Sequence, residues 1–299
     1  MSLRNWFLLV VLGAIWGGSF LFAKIAVAEI PPFILVFFRV SIACTALWCV
    51  VWWRGLSKHF TPKLLPAFFM MGLMNNAIPF SLLFLGQTGI GAGLASILNA
   101  TTPIFTVIVA SFLTNQEQPQ LNKIIGVVLG IASVGMMLSG SLTGLANDPV
   151  WAQLCCVGAA ISYACGATFA KRFSHLPPTV SATGQLTGST LIMLPVAVFA
   201  GSGWSISEPS ALTWLNVLAL GLLATAIAYL IYFRLLAEAG ATNASLVTLL
   251  VPASALFLGW MLLGEQLSTV QIAGFAVLLV GLAVLDGRIF PKRSAEPQR

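Results

Sequence analysis

Gly91–Phe105 reads GAGLASILNATTPIF, and Gly240–Ser254 reads GATNASLVTLLVPAS. With Gly91 laid on Gly240, Ala92, Ala95, Ser96 and Pro103 fall on Ala241, Ala244, Ser245 and Pro252. Each copy carries a serine, a polar residue three positions on (Asn99 or Thr248) and a proline four further. Proline has no N–H, and its ring pushes away the carbonyl of residue i−4. The carbonyls freed in this way belong to Asn99 and Thr248. Within a bilayer a freed carbonyl is tolerated only where protein or a wet cavity covers it. The two copies therefore predict two kinked helices walling a polar pocket at mid-membrane, with Pro103 and Pro252 as hinges.

The rest of the chain accords with a membrane setting. Hydrophobic residues make up 59% of the 299 and charged residues 7%, against about a quarter charged in soluble domains. The net charge of +6 does not point to nucleic acid, because the basic residues lie in short loops and a tail. Cys44, Cys49, Cys155, Cys156 and Cys165 all sit in apolar runs without metal-ligand companions. They read as small core residues, with no metal and no cofactor expected. The opening apolar run is too long for a signal-peptide core and reads as the first span.

Spanning takes about 20 apolar residues, and the chain divides into ten such segments: 5–27, 32–53, 65–86, 90–113, 121–140, 150–171, 179–200, 211–236, 241–263 and 269–288. All but two of the 14 Lys and Arg then fall on one side, from Arg4, Arg54, Lys58 and Lys63 to Lys171, Arg172 and the tail. The opposite loops hold Glu29, Asp148, Glu208 and Glu265 and no base. This asymmetry predicts that both termini are cytoplasmic.

The duplication extends well past the opening stretch. Phe22-Ala23-Lys24 matches Phe169-Ala170-Lys171, Pro31-Pro32 matches Pro177-Pro178, Gly72 and Phe84 match Gly221 and Phe233, and Gly126 matches Gly274. Five spans are copied in five. Because five is odd, the second copy enters from the other face. The expected fold is an all-α integral membrane protein, ten transmembrane helices as two inverted five-helix repeats around a central cavity. Such repeats are a signature of secondary transporters, with a midplane site at the repeat interface and alternating access.

The ten spans, the duplication, Trp16-Gly17 ahead of Lys24, the FFRVSIA segment around Arg39, and the Pro103 and Pro252 helices followed by Glu117 and Glu265 resemble the drug/metabolite transporter superfamily in its EamA branch. Within it the nearest likeness is to YddG-type exporters of amino acids. The resemblance covers nearly the whole chain. It implies a bacterial inner-membrane carrier moving small metabolites outward, with residues 1–144 and 145–289 as the two repeats and 290–299 as a basic cytoplasmic tail. The second half departs from the first in having Tyr163 for Trp16 and Gln185 for Arg39.

Span 3 repeats the proline device, with Asn75 four before Pro79. Asn75 and Asn99 can offer a substrate both donors and acceptors, or can cap each other's broken helices as polar glue. Ser96 shares the Asn99 face, as Ser245 shares that of Thr248. Trp16, Tyr163, the i, i+3 pair Tyr229 and Tyr232, and Phe80, the repeat partner of Tyr229, form an aromatic set suited to stacking on a substrate. Lys24 and Arg39 lie at similar depth, roughly 10 Å from the outer turn. They can form a positive collar for a carboxylate, or snorkel outward toward Glu29 or Glu265. Snorkelling is the favoured reading for Arg39, and both stay open for Lys24.

No acid lies mid-span, which argues against a cation/proton antiporter. The expected occupant is a small amphiphilic metabolite, most of all an amino acid, including aromatic ones. A nucleotide-sugar carrier or a multidrug exporter of the same fold is the alternative. An enzyme would need a nucleophile with histidine or paired acids, and the histidines, His59 and His175, flank loops. The expected partners are a small-molecule substrate and the lipid bilayer. A monomer is expected; Gly126 and Gly130 read as a helix-packing motif that leaves a dimer open.

Overall fold

The computed structural model describes residues 1–114, 120–144 and 147–287. Glu117, Arg288, Lys292, Arg293, Arg299 and the tail 290–299 lie outside the described residues. Ten spans are present: Leu3–Ala26 (span 1), Pro32–Trp53 (2), Leu65–Gly89 (3), Ala92–Thr114 (4), Leu121–Leu142 (5), Val150–Ala170 (6), Pro178–Ala200 (7), Ala211–Ala239 (8), Ala241–Leu263 (9) and Thr269–Asp286 (10). Among the described residues, nine helical runs are long and apolar enough to cross a membrane, and span 9 contributes the shorter helix Val247–Leu263.

Local chemistry sets the ends. Pro32 and Pro178 occupy the first turns of spans 2 and 7, where the missing N–H would be unpaired anyway. Span 10 opens on a capping box of Ser268 and Gln271, which satisfies two otherwise orphaned donors. Glu265 caps span 4 from a distance: its Oε1 accepts from Ala92 N–H at 2.8 Å and its Oε2 from Gly93 N–H at 3.0 Å.

Four spans are interrupted, and not as the prolines alone foretell. Span 4 breaks between Asn99 and Thr102. The Asn99 carbonyl is not left for a ligand, because the Thr102 hydroxyl donates to it at 2.7 Å. Span 9 breaks between Ala244 and Val247, well ahead of Pro252, through tight turns in which Leu246, Thr248 and Leu249 N–H reach back three residues. Pro252 itself sits inside the continuous helix Val247–Leu263. In span 3 the ladder widens into a π-helix over Leu73–Ala77, just before Pro79. Span 8 does the same over Ala219–Ile227 without any proline, since Ala228 stands at the matching place. Such bulges loosen carbonyls, and hydroxyls take them: Ser162 donates to Met74 at 2.7 Å, and Thr225 donates to Leu220 at 2.8 Å.

The two halves interleave with approximate twofold symmetry. Span 1 packs on spans 8 and 9, as span 6 packs on spans 3 and 4; span 2 meets the span 8 bulge, as span 7 meets that of span 3; spans 2 and 7 pair, and so do 5 and 10. Matched glycines permit two of these crossings. A Cβ on Gly72 would lie 2.5 Å from the Gln185 carbonyl oxygen, and one on Gly221 would lie 2.7 Å from Ile42 Cβ. Gly126 faces Leu285 and the Gly281 carbonyl of span 10.

Candidate functional site

Between the repeats lies a cavity of about 770 Å³. It reaches the surface beside the span 6–7 turn, where Ser174 and Pro178 line it and are exposed. That is the face carrying Lys171 and Arg172. Spans 5 and 10 contribute no lining residue; they stand outside, paired with each other.

Cross-span hydrogen bonds lace the opposite end together. Lys24 Nζ donates to the carbonyls of Gln87 (2.8 Å) and Ile90 (2.9 Å), and Gln87 Nε2 donates to the Phe20 carbonyl at 2.7 Å. Glu265 holds the start of span 4 to the span 9–10 turn, as described above. Glu29 accepts from Ser210 N–H at 2.6 Å and from its hydroxyl at 3.1 Å, tying the span 1–2 turn to span 8. The Ser210 N–H is the main cause that holds the Glu29 carboxyl below its ordinary range, with hydroxyl bonds to Thr213 and Ser210 adding to it. Lys24 thus neither forms a collar nor snorkels. It is spent on backbone carbonyls and does not line the cavity.

Most of the sequence-derived site residues meet at the cavity. Trp16, Asn75, Phe80, Ser96, Asn99, Tyr163, Tyr229 and Thr248 all line it, as does Pro103. Ser245 does not: the break in span 9 leaves it exposed. Pro79 and Pro252 lie behind the wall, buried. Asn75 and Asn99 do not cap one another. Asn75 Nδ2 donates to Gln185 Oε1 at 3.1 Å, across the repeat interface. Its neighbour Asn76, fully buried, donates to the Tyr229 hydroxyl at 3.3 Å. Asn99 Oδ1 is buried without a partner among the described residues. The Ser96 hydroxyl is turned back onto the Gly93 carbonyl at 2.7 Å.

Aromatic rings form much of the wall. Trp16 lies 5.4 Å from Tyr232, and Phe80 meets Tyr163 edge-on at 6.4 Å, centroid to centroid. Arg39 overturns the snorkelling expectation. It is 6% exposed, its Cζ lies 3.7 Å from the Phe80 ring centroid, and its Nε donates to Thr225 Oγ1 at 3.1 Å. Neither Glu29 nor Glu265 reaches it, because both are taken by backbone N–H groups. Tyr232, which pairs with Tyr229 at i, i+3 spacing, lines the cavity as well, while Gln185 and Thr225 are contributors that residue type alone does not mark. For Gln185 a signal exists: it stands where the second repeat matches Arg39.

A family model for EamA-like transporters matches the chain twice, over residues 4–139 and 150–285. The chain belongs to the EamA-like transporter family. It is therefore a multi-pass membrane transporter. It is 30% identical over 290 residues to the protein PagO of Salmonella typhimurium, covering 94% of this chain and 92% of that one. It is 27% identical over 297 residues to a probable amino-acid metabolite efflux pump of the same organism, covering 95% of each. An uncharacterized Bacillus subtilis transporter, YoaV, is 24% identical over 273 residues, covering 90% of this chain and 91% of its own. A solved crystal structure superposes with a TM-score of 0.65 at 18% identity, over 94% of this chain and 97% of its own, which bears on the fold alone.

Proposed function

We propose that this transporter exports small amphiphilic metabolites, most of all amino acids including aromatic ones, from the cytoplasm across the inner membrane by alternating access. The observation that carries this reading is the cavity itself. It lies between the two repeats, is walled by Trp16, Tyr163, Tyr229, Tyr232 and Phe80, and carries amides at Asn75, Asn99 and Gln185. Rings suit an apolar side chain, and amides suit the polar end of a solute that must shed water. The cavity opens on the face of Lys171 and Arg172, the cytoplasmic one by the charge asymmetry, so this is an inward-open state. Spans 1–4 and 6–9 serve as the rocking bundles, with hinges near Pro79, Pro103 and Pro252 and with spans 5 and 10 as backing. Gly126 and Gly130 are used up against Leu285 and Ile104 inside the molecule, which supports a monomer. Among the described residues, one lining guanidinium is few for a nucleotide sugar, and no acid lines the wall for a cationic drug.

The experiment is counterflow of labelled L-phenylalanine in proteoliposomes, with Trp16→Ala and Asn99→Ala as variants. Each is expected to lower the rate by about five- to thirtyfold, by loss of roughly 1–2 kcal/mol of ring or amide contact, at unchanged expression. Undiminished rates in both would sink the assignment of the cavity as the transport site.

A further inference from the structure

Among the described residues, Arg39 is the one charged residue on the cavity wall, and its setting is built. The Phe80 ring covers one face of the guanidinium. Nε is pinned by Thr225, whose own proton goes to the Leu220 carbonyl, leaving the hydroxyl only a lone pair to turn toward Arg39. The π-bulge of span 8 makes that arrangement possible, because the bond spans five residues. Among the described residues, the two terminal nitrogens have no hydrogen-bond partner and no carboxylate pairs with Arg39. On the matching wall the second repeat has Gln185, neutral and engaged with Asn75. One side of the cavity is cationic and the other is not.

A guanidinium stays protonated, and a charge buried without a counter-charge is costly. Its planar fork of donors fits a carboxylate bidentately. We propose that Arg39 anchors the carboxylate of the transported solute through its terminal nitrogens, and that the substrates are monocarboxylates with an apolar body. The body lies along Trp16, Tyr229 and Tyr232. Since no acid lines the cavity among the described residues, no lining side chain there requires an α-ammonium. Deaminated or N-acylated relatives of amino acids, carrying a net charge of −1 against the +1 of the wall, fit at least as well as the zwitterions. This rests on the transport reading above and narrows its substrate class.

The test uses the full-length protein in proteoliposomes with three probes of one shape: phenylpyruvate (anion), L-phenylalanine (zwitterion) and L-phenylalaninamide (cation). Counterflow and thermal stabilisation are read for each. Both acids are expected to register and the amide not, and Arg39→Met should weaken both acids by at least about tenfold. Arg39→Lys, which keeps the charge and loses the fork, should fall between. Should Arg39→Met fail to fold, Thr225→Val decides the matter: the acids should weaken at least about threefold. Acids handled equally by wild type and the folded variants would overturn the anchor while leaving amino-acid export standing. Uptake of the amide, with no response to either acid, would overturn both.

Discussion

Glu265→Gln should unlock the closed end of the transporter. In the wild type the carboxylate accepts from Ala92 N–H at 2.8 Å and from Gly93 N–H at 3.0 Å, at the positive end of the span 4 helix. Glutamine keeps one acceptor, turns an NH₂ toward the second N–H, and removes the charge. A hydrogen bond to a charged group contributes about 1.5–3 kcal/mol, and a charge at a helix N-terminus adds about 0.3–1 kcal/mol. A loss of some 2 kcal/mol shifts the balance between open and shut roughly thirtyfold. The assay places a single cysteine at Thr248, which lines the cavity, after replacing the five native cysteines. A membrane-impermeant maleimide is then added from the closed face alone. Glu265→Gln should speed labelling from that face at least about tenfold. Labelling unchanged within twofold, or raised equally from both faces, would refute the view that this contact shuts the passage.

Three further outcomes are expected. Gly72→Leu should lower the melting temperature in detergent, because its Cβ would meet the Gln185 and Ser189 backbone at 2.5 and 2.6 Å and such overpacking costs about 1–3 kcal/mol. Gly135→Leu, with nothing within 4 Å, is the control, and equal melting of the two would refute the close crossing. Because folding lowers the Glu29 carboxyl pKa, its contribution to stability is complete above the ordinary carboxylate value of roughly 4 and fades as pH falls through the lower, folded one. Glu29→Gln should flatten the acid limb of a melting-versus-pH curve, and an unaltered limb would contradict this. With no acid on the cavity wall among the described residues, transport should proceed without stoichiometric proton movement. A proton flux matching substrate flux in dye-loaded vesicles would contradict that.

The sequence carried the architecture because duplication leaves paired marks: Gly72 with Gly221, Pro32 with Pro178, Gly126 with Gly274. Each pair turns up at corresponding helix contacts or helix starts. What it carried less well depends on partners far away in the chain. Depth counting puts Arg39 near the outer turn and makes snorkelling reasonable. Only the approach of Phe80 from span 3 and Thr225 from span 8 shows that the side chain points inward. The bulge of span 8 has no proline to announce it. The fate of the Asn99 carbonyl was in the letters all along, since Thr102 stands three residues on, within reach of a side-chain bond to that oxygen. Ser245 shows the limit of face arithmetic: a helical wheel assumes a helix, and the chain there is broken.

The Arg39 guanidinium on the wall also bears on what powers the carrier. If the occupant is a monoanion, each export cycle moves one negative charge out of the cell. An inside-negative voltage drives that movement, by about 2.3 kcal/mol per 100 mV, or close to a fiftyfold gradient. Efflux would then need no companion ion, and an imposed potassium diffusion potential should speed phenylpyruvate exit while leaving the zwitterion untouched. Identical responses of the two solutes would rule this out. A single arginine would in that case let the resting voltage of the cell stand in for a coupling site.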